Sequence, residues 1–169
     1  MDVKSLTKLY RDELLDNVVP FWLNKSQDTQ FGGYYTCLDR TGNVFDTDKF
    51  IWLQGREIWL FSMLYNNLEK KPEWLECAKQ GGEFLKKYGH DGNYNWYFSL
   101  TREGKPIIDP YNIFSYTFAT MAFGCPGFSE TEWLAARTAL QQAIQSRCQA
   151  ENSRQPSTSD LLTGLMALI

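Results

Sequence analysis

Asp46-Thr47-Asp48-Lys49-Phe50-Ile51-Trp52-Leu53-Gln54-Gly55-Arg56-Glu57-Ile58-Trp59-Leu60-Phe61 is the stretch from which the fold is read. Trp52, Trp59 and Leu60, with Phe61 beside them, recur at helical spacing, so a helix is predicted over about 49–67. Gln54, Arg56 and Glu57 interrupt that pattern, and the helix cannot divide into one oily face and one wet face. A guanidinium among several rings is costly unless it has a partner or a ligand. Two readings stand. Arg56 pairs with a nearby carboxylate such as Glu57 or Asp48, or its planar fork of donors is held for a polyhydroxylated or anionic ligand.

Upstream, Leu6, Leu9, Tyr10, Leu14, Val18, Phe21 and Trp22 repeat at intervals of three and four, which predicts an amphipathic helix over about 3–22 that Pro20 bends or ends. A polar turn over 26–30 then feeds Phe31-Gly32-Gly33. Strand formers in Tyr34-Tyr35-Thr36-Cys37-Leu38-Asp39, a turn at Asp39-Arg40-Thr41-Gly42-Asn43 and Val44-Phe45 predict a short hairpin, with Gly33 admitting a close backbone approach. Downstream, Pro72 opens a helix to about Tyr88, in which Gly81-Gly82 costs helix propensity and implies close packing against a neighbour. Residues 94–101 and 105–108 flank Arg102-Glu103-Gly104 as a second hairpin. A helix over 112–123 is apolar almost all round and is expected to be enclosed by protein. Another, over 129–147, opens with the capping-box pair Ser129 and Glu132. Residues 151–159 read as a polar loop. The run Leu161–Ile169 behind Asp160 is still apolar at its last residue, which predicts a chain incomplete relative to its fold.

The 169 residues suit one domain. A net charge of -3 without any Lys/Arg run excludes a nucleic-acid surface. No apolar run reaches the roughly 20 residues that span a bilayer, and the N-terminus lacks a signal-peptide pattern, so a cytoplasmic protein without membrane contact is expected. Cys37, Cys77, Cys125 and Cys148 are widely spaced and accompany a single histidine, so free thiols are expected rather than a zinc site. Aromatic residues make up 15% of the chain, and rings with polar tips suit sugar-binding walls as well as cores.

Phe31-Gly32-Gly33-Tyr34, Leu38-Asp39-Arg40-Thr41-Gly42, Lys49, Trp52-Leu53-Gln54-Gly55-Arg56, Leu64-Tyr65-Asn66 and Tyr111-Asn112-Ile113-Phe114-Ser115, taken in order, resemble the N-acylglucosamine 2-epimerase family, to which cellobiose 2-epimerases also belong. The resemblance covers about Leu9 to Gly124. It implies an all-α fold, the N-terminal portion of an (α/α)6 barrel with short β-hairpins between helices. Residues 1–169 are then a single partial domain of five to six helices, with 148–169 divergent or truncated. It also implies a carbohydrate isomerase that inverts C2 by removing the proton beside the open-chain carbonyl and returning it to the opposite face, with no cofactor and no metal. Histidine is the usual choice for such proton transfer. The family's paired histidines and supporting glutamate lie in its C-terminal half, beyond this chain. His90, in a turn, does not match them. Arg56 matches the arginine that holds the substrate near its carbonyl oxygen, where a fixed charge stabilises the enediolate.

Gln54, which shares a short polar interval with Arg56, and the stacking candidates Trp52, Tyr35 and Tyr111 are the further substrate-binding residues expected, although aromatics at such spacing also build cores. The expected partner is a small-molecule sugar, and the resemblance leaves a homodimer open. Two alternatives accompany this reading. The chain is a catalytically inactive product that binds sugar or a partner, or Asp48 and Asp109 act as the acid–base pair of an (α/α)6 glycoside hydrolase.

Overall fold

The computed structural model describes residues 2–110, 112–125 and 128–154. The predicted run from 161 and residues 155–159 of the predicted polar loop lie outside these residues, while 151–154, expected as loop, are helical. The first helical segment comprises α1 (Val3–Glu13), a π-helical turn (Leu14–Val18) and α2 (Val19–Lys25). Asp2 caps it by accepting from the backbone N–H of Ser5 at 2.8 Å. Pro20 does not end the helix, one of the two outcomes expected of it. The preceding π turn widens the backbone where the proline can donate no hydrogen bond, and the helix runs on to Lys25.

The first hairpin pairs β1 (Cys37–Leu38) with β2 (Val44–Asp46) antiparallel, Cys37 opposite Asp46 and Leu38 opposite Val44. Asp39 closes its turn by accepting from the N–H groups of Thr41 and Asn43. The second hairpin is β4 (Ser99–Leu100) with β5 (Pro106–Ile108), and β3 (Lys49–Phe50) adds to it, giving the order β3-β4-β5. Lys49 and Phe50 are therefore strand, where the helix was expected to begin. Helix α3 (Ile51–Asn67) starts after them, its first N–H donating to Phe98 O at 3.0 Å across the sheet. The sheet thus ties the start of α3 to the segment that precedes α5.

Helices α4 (Pro72–Tyr88), α5 (Ile113–Phe123) and α6 (Glu130–Arg154) complete the described chain. Helix α3 packs on α4 and on α5, and α5 packs on α6. The core between them holds Tyr34, Ile58, Phe61, Trp74, Phe84, Leu85, Trp96 and Phe123. Gly81 lets the Tyr34 ring lie directly on α4, since a Cβ there would sit 2.3 Å from the Tyr34 hydroxyl, which donates to Cys77 O at 2.7 Å. Ser129 and Glu132 form the expected capping box at the start of α6. That helix continues to Arg154, past the predicted end near 147. Cys37, Cys77, Cys125 and Cys148 are free thiols. Among the described residues no helix is long and apolar enough to cross a membrane.

Candidate functional site

Helix α3 presents its polar residues in three different ways. Gln54 is fully buried, and its amide is spent on one backbone unit: Tyr34 N–H donates to Oε1 at 2.8 Å, and Nε2 donates to Tyr34 O at 2.8 Å. Gly33 makes room for that clasp, because a Cβ there would lie 2.7 Å from Gln54 Oε1. The expected contact of Gln54 with a ligand is therefore not what the structure shows. A buried amide must satisfy its own hydrogen bonds, and the nearest unpaired groups are those of the extended segment before β1.

Glu57 is buried too, 8% exposed, and accepts a hydrogen bond from Ser26 Oγ at the end of α2. Burial pushes its carboxyl up to about 8, against the smaller opposing effect of that hydrogen bond, so it is protonated at neutral pH. Arg56, between them in the sequence, is exposed. It pairs with neither Glu57 nor Asp48, and among the described residues it forms no ion pair. Its guanidinium instead lies over two rings, Trp52 one helical turn earlier at 5.9 Å and Phe118 of α5 at 5.5 Å. The first of the two readings from sequence is thus set aside on geometry.

Arg56 stands between two cavities. One, of about 590 Å³, is walled by Trp52, Phe98, Phe114 and Phe118, with Asn112 at its edge. Asn112 is also the N-cap of α5, its side chain accepting from Phe114 N–H at 2.9 Å. The other, of about 340 Å³, is lined by Trp22, Thr36, Leu53, Glu57, Trp59 and Leu60. Among the described residues helix α5 is therefore not enclosed all round, contrary to expectation. Phe114 is 61% exposed, and the face it shares with Phe118 looks into the larger cavity. A mostly apolar wall with one exposed cation suits a ligand that offers C–H faces to the rings and an oxygen to the guanidinium.

Of the other expected contacts, Trp52 lines the larger cavity. Tyr35 is half-buried and stacks its ring near the Arg102 guanidinium at 5.3 Å, lining neither cavity. Tyr111 lies outside the described residues. Asp48 and Asp109 line neither cavity, and Asp48 has its carboxyl raised by burial and by Asp46. His90 also lines neither. Its ring stacks on Tyr94 at 4.4 Å, stands edge-on to Trp96 and accepts from Gly92 N–H, and burial lowers its pKa. Among the described residues no group of three His, Cys, Asp or Glu side chains is placed to hold a metal ion.

Three site residues escaped sequence reading. Phe98 immediately precedes β4 of the second hairpin and has no local signal. Phe114 and Phe118 sit in a helix whose all-round apolar pattern reads as burial, and only the absence of a neighbour on one face among the described residues makes them a wall.

A polar cluster ties the loop before the first hairpin to β3 and to the turn of the second hairpin. The Lys49 ammonium, fully buried, donates to Asp28 Oδ2 at 2.9 Å, Gly32 O at 2.6 Å and Arg102 O at 2.9 Å. Arg102 grips the same carboxylate through Nε at 2.9 Å and Nη2 at 3.1 Å. Burial pushes the Asp28 carboxyl up, but the hydrogen bonds from Arg102 and Lys49 outweigh it and hold the group well below the usual carboxylate range.

Residues 33–161 match the family model described as N-acylglucosamine 2-epimerase. The N-acylglucosamine 2-epimerase of Bos taurus is 46% identical over 112 residues, 64% of this chain and 26% of its own length. The cellobiose 2-epimerase of Ruminococcus albus is 35% identical over 114 residues, 66% of this chain and 29% of that protein. Among solved structures, a sugar epimerase from a ruminal bacterium superposes with a TM-score of 0.68 at 31% identity, over 83% of this chain and 37% of that one. The cellobiose 2-epimerase of Spirochaeta thermophila superposes with a TM-score of 0.72 at 21% identity, over 84% and 36%. The chain spans about a quarter of the length of the curated relatives it matches. Over that span its helices and short hairpins are arranged as in the N-terminal part of an (α/α)6 barrel.

Proposed function

The chain belongs to the N-acylglucosamine 2-epimerase family, and from that premise we propose that it holds the sugar of a carbohydrate 2-epimerase by its carbonyl oxygen, with Arg56 as the donor. One observation carries the reading. Arg56 stands exposed on α3 beside an aromatic cavity, without an ion-pair partner among the described residues, so its charge is free for a ligand. When a base removes the C2 proton of the open-chain sugar, negative charge moves to the carbonyl oxygen. A fixed guanidinium beside that oxygen stabilises the enediolate and leaves C2 open to reprotonation from either face. The reaction is a reversible isomerisation between N-acylglucosamine and N-acylmannosamine or a similar aldose, and it needs no redox cofactor. Trp52, Phe114 and Phe118 flank the bound ring in this reading. The same reading puts the protein in the cytoplasm, with a small-molecule sugar as its ligand, and leaves homodimer formation open.

The test is binding of N-acetylmannosamine followed by saturation-transfer NMR. Arg56→Ala is expected to weaken it about tenfold or more, since a hydrogen bond from a charged donor contributes about 1.5–3 kcal/mol. Equal binding by wild type and Arg56→Ala overturns the role.

A second reading is favoured by His90. The chain's one histidine is committed to Tyr94, Trp96 and Gly92 and lines neither cavity beside Arg56. On this reading the 169-residue chain binds sugar without inverting it. Exchange of the C2 hydrogen with heavy water, catalysed by the chain alone, overturns it.

A further inference from the structure

We propose that Trp52 and Phe118 are positioning residues for Arg56: their two rings form a cleft that holds the guanidinium beside the cavity while leaving its charge uncancelled. The inference rests on the reading of Arg56 as the group that meets the sugar's oxygen. A long side chain on an exposed helix face samples many rotamers, and proteins usually restrain an arginine with a carboxylate. A carboxylate here would neutralise the charge that the ligand needs. The faces of two aromatic rings attract the cation through their quadrupoles and leave its N–H edge unused, so restraint and availability coexist.

The geometry fits that division of labour. The Arg56 Cζ lies 5.9 Å from the Trp52 ring centre and 5.5 Å from that of Phe118, both within the range of about 6 Å in which the attraction operates. The rings themselves are 6.2 Å apart and inclined at 47°, a wedge rather than a stack. Trp52 belongs to α3, four residues before Arg56, but Phe118 comes from α5, so the cleft exists only when the two helices are docked. Gly55 sets that docking. A Cβ at position 55 would lie 2.6 Å from Phe118 O, so the absence of a side chain beside Arg56 brings the Phe118 backbone against α3 and its ring alongside the guanidinium.

The experiment is ¹H–¹⁵N NMR of the arginine Nε–H groups of the full chain, with the Arg56 signal assigned by its loss in Arg56→Lys. In the wild type the ring currents of Trp52 and Phe118 shift that signal away from the position of solvent-exposed arginines. Phe118→Leu and, as an independent variant, Trp52→Leu each return it toward that position, while Phe118→Tyr, which keeps the ring, does not. N-acetylmannosamine moves the wild-type signal, and its affinity falls about three- to tenfold in each leucine variant, the scale of one cation–π contact, and recovers in Phe118→Tyr. An Arg56 signal at the ordinary position in the wild type overturns the cleft. So does a shifted signal that neither leucine variant moves while circular dichroism shows the helices intact. A wild-type signal that is ring-shifted but unmoved by the sugar overturns the reading of the site instead, which keeps the two failures apart.

Discussion

Gln54, Arg56 and Glu57 follow one another on α3 and meet a backbone clasp, an aromatic cleft and a buried hydroxyl in turn. Their sequence pattern announced a polar interval in an apolar helix. It could not say which of the three faces a ligand, because 100° of helical rotation per residue turns neighbours into different surroundings. Glu57 makes a prediction at this scale. Its carboxyl rises from an ordinary 4.5 to about 8 in the folded protein, so the folded state holds a proton that the unfolded chain releases. Stability is then greatest below about 4.5 and falls as pH rises through the interval up to about 8. Glu57→Gln keeps the hydrogen bond with Ser26 and removes the ionisation. It is expected to flatten that decline and to make the variant the more stable protein above pH 8, as read from urea denaturation at several pH values. Parallel pH profiles for the two proteins would refute the assignment.

Short strands and loops tie together the helices that wall the cavity. β3 is two residues long, yet Lys49 within it binds three acceptors from two other segments and so ties the loop before the first hairpin to the turn of the second. Asp28, Lys49 and Arg102 are 21 and 53 residues apart along the chain, and nothing local relates them. Lys49→Met leaves the Gly32 and Arg102 carbonyls without their buried donor. Removing one member of a buried ionic cluster typically costs about 3–5 kcal/mol, and a loss of that order in denaturant titration is expected. The Asp28 carboxylate adds an acid limb: its depressed pKa contributes stability that is complete above the ordinary carboxylate range and drains away as pH falls below it. In Lys49→Met that limb shrinks. Helix starts were legible to within a few residues because caps are local, as with Ser129, whereas the end of α6, with no such signal, was placed seven residues short. Pro20 does not end the helix because it falls at the first turn of α2, directly after the π turn, where its missing N–H costs least.

At the scale of the molecule, burial is uneven. Helices α3, α4 and α5 share the core, whereas α1 buries no residue, with Val3 78% and Tyr10 71% exposed. Hydrogen exchange followed by mass spectrometry is expected to show the amides of α1 exchanging orders of magnitude faster than those of the buried turns of α3, because opening α1 uncovers little apolar surface. Equal protection of the two helices would contradict the burial pattern. The larger cavity is likewise a property of the whole: its wall takes Trp52 and Arg56 from α3, Phe98 from the hairpin segment, and Phe114 and Phe118 from α5.

What the sequence determined by itself was the set of helices, the hairpins between them and the family, since periodicity, capping and ordered motifs are written in neighbouring residues. Only the tertiary structure decided that Gln54 is an anchor, that Glu57 is a buried acid, and that Arg56 rests on Trp52 and Phe118 instead of a carboxylate. Those outcomes depend on which distant groups arrive beside each side chain, and burial and hydrogen-bond satisfaction are settled where segments meet in space.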